Sequence, residues 1–270
     1  MDTVEVFLST YNGSEYLAEQ LDSLLAQKDV AVAINVRDDG STDETVAILE
    51  HYSKLDNRVS YRKGVNLGFA QSFFDILKNC GKADFYAFCD QDDVWDNDKL
   101  SSAVKMMKQA KNDVPVMYYS NLRVVDKDLS FLRVAHSRPH IHINKYSALI
   151  ENAATGCTIV INKSAADLIK DRLPRQCQLH DWWIYLVCVF LGNVVYDTIP
   201  HISYRQHGNN VIGTFKKRKS LGNYIKRFSR LFNRNLQPSR KNALGFLESY
   251  GDLVSDDDLI VISKLAFYKQ

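Results

Sequence analysis

Four short apolar runs, at residues 4–9, 32–37, 59–62 and 85–89, alternate with helix-patterned stretches at about 15–27, 44–55, 70–79 and 98–110. Strands separated by a helix cannot pair as hairpins; they need crossovers, and so predict a mostly parallel sheet with helices on both faces. The first helix shows the period clearly, with Tyr16, Leu17, Leu21, Leu24 and Leu25 on one face. The fold class is α/β, with a Rossmann-like nucleotide-binding sheet. From about 116 the pattern changes: a strand at 116–119, a strand and turn over 122–132, a strand at 158–162, and a helix at 164–173 that Pro174 ends. An apolar helix after His180-Asp181, a strand at 193–196 and a turn-rich loop at 208–213 complete this half. The boundaries are therefore 1–120, 121–213 as a second half of the same domain, and 214–270 as a separate helical tail.

With 270 residues, 46% of them hydrophobic, the chain can bury a sizeable core. A net charge of +2 hides an uneven distribution, because no Asp or Glu occurs from Thr198 to Leu247 while basic residues abound there. Five cysteines with no C-x-x-C pair indicate neither a zinc site nor a disulfide framework, and a reducing cytoplasm fits best. The N-terminus reads as a strand rather than a signal peptide, and the longest apolar run, 182–191, is about half of what a spanning helix needs.

The strand ends carry the chemistry. Asp90-Gln91-Asp92-Asp93 follows the run 85–89 directly, Ser9-Thr10-Tyr11-Asn12-Gly13 ends the first strand, and Asp38-Asp39-Gly40-Ser41-Thr42-Asp43 ends the second. Parallel α/β sheets bind ligands at this carboxyl edge. Three carboxylates within four residues call for a cation, and hard oxygen ligands suit Mg²⁺ or Mn²⁺ bridging to phosphates. Each motif also has a plainer reading: Asp92 or Asp93 as the cap of the helix that follows, Asp38-Asp39-Gly40 as a turn, Asp43 as a cap. Neither G-x-G-x-x-G nor a P-loop is present, which disfavours dinucleotide oxidoreductases and P-loop kinases.

Taken in order, Ser9–Gly13, Asp38–Asp43, Asn66-Leu67-Gly68 and Asp90–Asp93 closely resemble the motifs of family-2 inverting nucleotide-sugar glycosyltransferases with the GT-A fold, over roughly the first two hundred residues. The resemblance implies that Thr10, Tyr11, Asn12, Asp38, Asp39, Asn66 and Gln91 serve the donor nucleoside, and that Asp90 and Asp92 form the D-x-D element touching ribose and the metal on the diphosphate. Asp181 matches the family's general base, the carboxylate that takes the acceptor hydroxyl's proton; its plainer reading is a helix cap. The family commonly has Glu-Asp there, so His180 is a departure. Trp182 and Trp183 offer a stacking surface for an acceptor sugar or simply fill the core. Gly156, in Thr155-Gly156-Cys157-Thr158, lies where the family shapes its acceptor pocket, or serves backbone geometry alone. In Tyr204-Arg205-Gln206-His207-Gly208-Asn209-Asn210, His207 is a further metal ligand or a satisfied loop histidine, and Arg205 is suited to clamp phosphate bidentately.

His180-Asp181-Trp182-Trp183 together with Tyr204–Asn210 resembles the rhamnosyltransferase-like branch, which suggests dTDP-L-rhamnose as donor with UDP-hexoses as the alternative. The absent Gln/Arg-x-x-Arg-Trp element of processive members favours transfer of one sugar to a surface-glycan acceptor, often lipid-linked in this family. The rival classes are a nucleotidyltransferase and a non-catalytic glycan-binding protein on a decayed transferase scaffold. In the tail, apolar residues at helical spacing with interleaved cations over 215–235 describe a basic amphipathic helix. It suits peripheral contact with an anionic membrane on the inner face of the cell; nucleic acid, which the family does not lead one to expect, and packing on the catalytic domain are the competing explanations.

Overall fold

The computed structural model describes residues 1–110, 113–135, 143–175, 177, 179–208 and 237–267. Its first half is the expected alternation: β1 (Thr3–Thr10), α1 (Leu17–Leu25), β2 (Ala31–Asp38), α2 (Thr45–Leu55), β3 (Val59–Lys63), α3 (Phe69–Lys78) and β4 (Phe85–Cys89). A two-residue β5 (Val94–Trp95) and α4 (Lys99–Met107) follow. The second half adds β6 (Val116–Val125), β7 (Phe131–Val134), α5 (Lys145–Ala148), β8 (Val160–Asn162), α6 (Lys163–Asp171), α7 (His180–Leu191) and β9 (Asn193–Arg205), then α8 (Gln237–Tyr250) and α9 (Asp256–Ala266).

One sheet runs through both halves in the order β3-β2-β1-β4-β8-β6-β9-β5, with β7 on β6. β3, β2, β1 and β4 are parallel, β8 joins antiparallel to β4 and β6, and β6 pairs in parallel with β9. Register sets Thr10 opposite Asp38 and Leu8 opposite Cys89, so the three polar strand ends leave the sheet at one edge. Residue 120 lies inside β6, and the two halves share this sheet.

Alternation along β1 feeds two cores. Phe7 packs with Phe73, Phe88 and the helices α3, α6 and α7, whereas Val6 and Leu8 pack with Leu17, Leu21 and Leu24 of α1 and with α4. Helix α7 is apolar nearly all round because it is central: Trp183, Ile184, Leu186 and Val187 are fully buried. Each such side chain contributes about 1.5–3 kcal/mol by leaving water.

The chain after residue 214 is not a separate tail throughout. Phe246 and Tyr250 of α8 pack on Trp183, and Ile262 and Ala266 of α9 join the same core. The basic segment 215–235 lies outside the described residues. No helix among the described residues is long and apolar enough to cross a membrane. Helix α4 opens at Asp98, whose side chain makes no capping hydrogen bond, with β5 between it and the acidic loop, so neither Asp92 nor Asp93 caps it. Strand β9 continues well past 196, passing Pro200 at register shifts against Asn121, and thereby delivers Arg205 to the site.

Candidate active site

The loop after β1 is fixed by Gln91. Its Oε1 accepts from Thr10 Oγ1 at 2.7 Å and from the Tyr11 N–H at 2.8 Å. A Cβ on Gly13 would lie 2.2 Å from that same oxygen, so only glycine lets the loop close on it. Asn12, at φ 48°, turns back to the second strand end, accepting from Thr42 N–H at 2.8 Å while its own N–H donates to Ser41 Oγ. Thr10, Asn12 and Gln91 thus tie three strand ends together, and Tyr11 remains exposed above them.

Asp38 and Asp39 are both buried, and they differ in employment. Asp38 accepts from Ser41 N–H. Asp39 pairs with buried Arg37 and accepts from the Leu67 and Gly68 N–H groups at 2.9 Å each, so it shapes the Asn66-Leu67-Gly68 loop. Asn66 Oδ1 accepts from Gly68 N–H, whose residue needs its positive φ of 78° to enter α3. Arg37 also holds Asp75 and the Val65 carbonyl. A sequence reading that followed acids overlooked it, although an arginine inside a strand next to two aspartates is a visible sign of a buried pair.

In the acidic loop, burial together with the charges of Asp92 and Asp181 pushes the Asp90 carboxyl up to about 7. Asp93, fully buried, is driven well above the usual carboxylate range by burial and by Asp92 and Asp90; the Arg205 N–H donates to it at 3.0 Å. Buried Lys99, lying over the Trp95 ring, is pulled by desolvation down to about 8 beneath this cluster. Asp92 Oδ2 stands 2.7 Å from His207 Nε2, each side chain about one-eighth exposed.

A hard divalent cation fits these donors. Asp92 and His207, hydrogen-bonded to each other, would offer such an ion one carboxylate oxygen and one imidazole nitrogen. Asp90 and Asp93 also bring ligand atoms within 4.8 Å of each other and of the Cys157 sulfur, but that buried thiol is a soft donor and suits such an ion less well.

The Arg205 side chain, expected to clamp a phosphate, is engaged within the protein. Its guanidinium is buried, donating to the Lys127 and Asp92 carbonyls and pairing with Glu19, so it braces the acidic loop instead. Trp182 and Trp183, expected to offer a stacking surface or to fill the core, are both buried. Trp182 Nε1 donates to the Ala148 carbonyl at 2.6 Å, and Trp183 packs against Phe246 and Tyr250.

At the head of α7, Asp181 is half-buried. Desolvation lifts its carboxyl to about 6, against the downward pull of the Trp182 and Gly156 N–H groups and the Asn152 side chain. The helix cap position is Leu179, so Asp181 is a first-turn residue and not the cap. His180 is stacked 4.1 Å from Phe73 and held neutral, its pKa lowered to about 3 by burial. A Cβ on Gly156 would meet His180 Nε2 at 3.0 Å and Asp181 Cβ at 3.7 Å. Gly156 is therefore what allows this turn to approach Asp181 and donate to it. The acidic loop and Asp181 share one electrostatic environment, since each carboxylate's field reaches Asp90. Such a site can hold a diphosphate through a cation and withdraw a proton from a hydroxyl.

A nucleotide-binding α/β transferase is the class this sheet edge defines. Residues 5–168 match the model for Glycosyl transferase family 2. The chain is 31% identical over 242 residues to the dTDP-rhamnosyl transferase RfbG of Shigella flexneri, covering 80% of this chain and 78% of that one. It is 27% identical over 161 residues to the UDP-Glc:alpha-D-GlcNAc-diphosphoundecaprenol beta-1,3-glucosyltransferase WfaP of Escherichia coli, covering 60% and 61%. In fold it resembles S. aureus TarS 1–349, with TM-score 0.63 at 16% identity over 98% of this chain and 72% of that one. The mannosyltransferase PcManGT from Pyrobaculum calidifontis, in complex with GDP-Man and Mn²⁺, superposes with TM-score 0.52 at 18% identity, covering 97% and 73%. The chain belongs to glycosyl transferase family 2, with the GT-A fold, and is a nucleotide-sugar-dependent glycosyltransferase.

Proposed function

We propose that the protein is a divalent-metal-dependent inverting glycosyltransferase that adds one L-rhamnose from dTDP-L-rhamnose to a surface-glycan acceptor. The observation that carries the proposal is the half-buried Asp181, raised to about 6, set within the electrostatic reach of the Asp90 loop. The rhamnose donor is supported by the likeness to RfbG; a UDP-hexose is the second reading, supported by the likeness to WfaP, whose diphosphoundecaprenol-linked substrate also favours a lipid-linked acceptor.

Thr10, Asn12, Asp38 and Asp39 shape the nucleoside pocket, with Gln91 as the latch that keeps its walls together. Asp92, Asp90 and His207 would hold the Mg²⁺ or Mn²⁺ ion, which when bound supplies positive charge to the departing diphosphate. Asp181 takes the proton of the acceptor hydroxyl as its oxygen bonds to the anomeric carbon. The bond from that carbon to the diphosphate oxygen breaks on the opposite face, and the nucleoside diphosphate leaves with the electron pair. Asp181 is then the protonated acid, and it returns its proton to solvent.

Thermal stabilisation by a panel of nucleotide-sugars, with and without Mn²⁺, tests the reading; a donor at one hundred times its Kd stabilises by about 2.7 kcal/mol. The expected result is a metal-dependent shift with dTDP-L-rhamnose and release of dTDP when acceptor is added. Pyrophosphate release from a nucleoside triphosphate would instead point to a nucleotidyltransferase, and no shift with any donor to a non-catalytic scaffold.

A further inference from the structure

One aromatic side chain at the site has no part in the reaction described above. Tyr16, immediately before α1, touches both Arg205 and His207: the Arg205 guanidinium lies 4.5 Å from its ring centroid, and the His207 ring centroid lies 4.9 Å from it, the two rings tilted by 38°. Arg205 in turn is fixed by Glu19, one helical turn beyond Tyr16, and reaches the acidic loop twice, through the Asp92 carbonyl and through its own N–H to Asp93. The result is a closed circuit running Glu19, Arg205, Tyr16, His207, Asp92 and back to Arg205. It joins three chain segments far apart in sequence, and within it His207 touches both Tyr16 and Asp92.

We infer that Tyr16 is a positioning residue, whose ring, clamped by Arg205 and Glu19, holds the His207 imidazole against Asp92 in the pose from which the pair takes a divalent cation. This rests on the metal site proposed above. An imidazole on a loop is a poor ligand if it must be ordered when the ion arrives, and a stacked ring removes that cost beforehand. Partners that orient a metal-binding histidine typically carry about 10–100-fold in affinity. Tyr16 is uncharged, so replacing it changes the metal affinity through geometry rather than through the net charge of the site.

The test is titration with Mn²⁺ alone, followed by the electron paramagnetic resonance signal of the free ion, on wild type, Tyr16→Phe, Tyr16→Leu and His207→Ala, with thermal midpoints as a check of folding. Tyr16→Leu is expected to weaken Mn²⁺ binding at least tenfold, approaching His207→Ala, while Tyr16→Phe, which keeps the ring, stays within about twofold of wild type. Wild-type affinity in folded Tyr16→Leu, alongside weakened His207→Ala, overturns the positioning role and leaves the metal site standing. Unchanged binding in His207→Ala overturns the metal assignment of His207, and the positioning role with it. Should Tyr16→Leu fail to fold, Glu19→Gln, on a half-exposed side chain, serves in high salt, where its lost charge is screened. A loss of about threefold or more supports the circuit, and wild-type affinity overturns it.

Discussion

Replacing Gly156 by alanine probes the one close approach on which the base's position depends. The new methyl would sit 3.0 Å from His180 Nε2 and 3.2 Å from Cε1, roughly half an ångström inside the ~3.5 Å of an unstrained contact. His180 cannot simply retreat, because Phe73 and Phe88 stack behind it and the ring is buried. Overpacking of this kind costs about 1–3 kcal/mol. Stiffening of the unfolded chain returns about 0.4–1 kcal/mol, since the φ at 156 is open to alanine. The net loss is about 1–2 kcal/mol, or a midpoint lower by roughly 2–8 °C. Activity should suffer more than stability: a 1 Å misplacement can cost about 100-fold, so a carboxylate moved half as far should lose roughly tenfold in kcat. Thermal melts and initial rates on Gly156→Ala, and on the same change combined with His180→Ala, check this. Measured against His180→Ala alone, which is itself lowered by the cavity it leaves, the Gly156→Ala change should cost much less, because removing the imidazole frees the space. A Gly156→Ala protein as stable and as active as wild type would refute the reasoning.

Burying carboxylates makes the site sensitive to pH. Asp181 must be ionised to act, so kcat/KM should climb as pH rises through about 6 and flatten above it. For stability the sign is opposite: with its folded pKa raised to about 7, Asp90 binds more protons native than unfolded, so the metal-free protein loses stability as pH rises from about 4 to 7. Mn²⁺ should therefore stabilise more at pH 7.5 than at pH 5.5, which denaturant melts at the two values would show. Arg37→Met strands buried Asp39 and should cost about 3–5 kcal/mol in urea unfolding, because an uncompensated charge is left inside. Trp183→Phe should lower stability and leave the acceptor KM unchanged, as expected of a core residue rather than a binding platform.

The first half of the fold was legible because its information is local: runs of strand length, amphipathic helices and acidic strand ends all follow from a few neighbouring residues. The carboxyl edge followed from that, and the structure brings Thr10, Asp38 and the Asp90 loop to it. What the sequence hid depends on distant partners. Continuation of β9 through Pro200 needs the matching register shift in β6. Trp182, Trp183 and Arg205 carry the right chemistry for ligands, but residue type does not say which way a side chain faces, and all three turn inward. Helices α8 and α9 looked separate because their core partner, α7, precedes them by some fifty residues. The buried Lys99 is visible only once the sheet places it, whereas the Arg37–Asp39 pair left a trace in the sequence, an arginine inside a strand beside two aspartates.

The central claim is that Asp181 withdraws the acceptor's proton while the strand-end loops hold the donor. Asp181→Asn keeps the size of the side chain and removes its basicity. Comparing its single-turnover transfer rate with its Kd for the nucleotide-sugar in the presence of Mn²⁺ separates the two roles. The account predicts a rate lowered by about 100-fold or more with a donor Kd within a few-fold of wild type. A variant that transfers sugar at the wild-type rate, or that loses donor binding in proportion to rate, would contradict it.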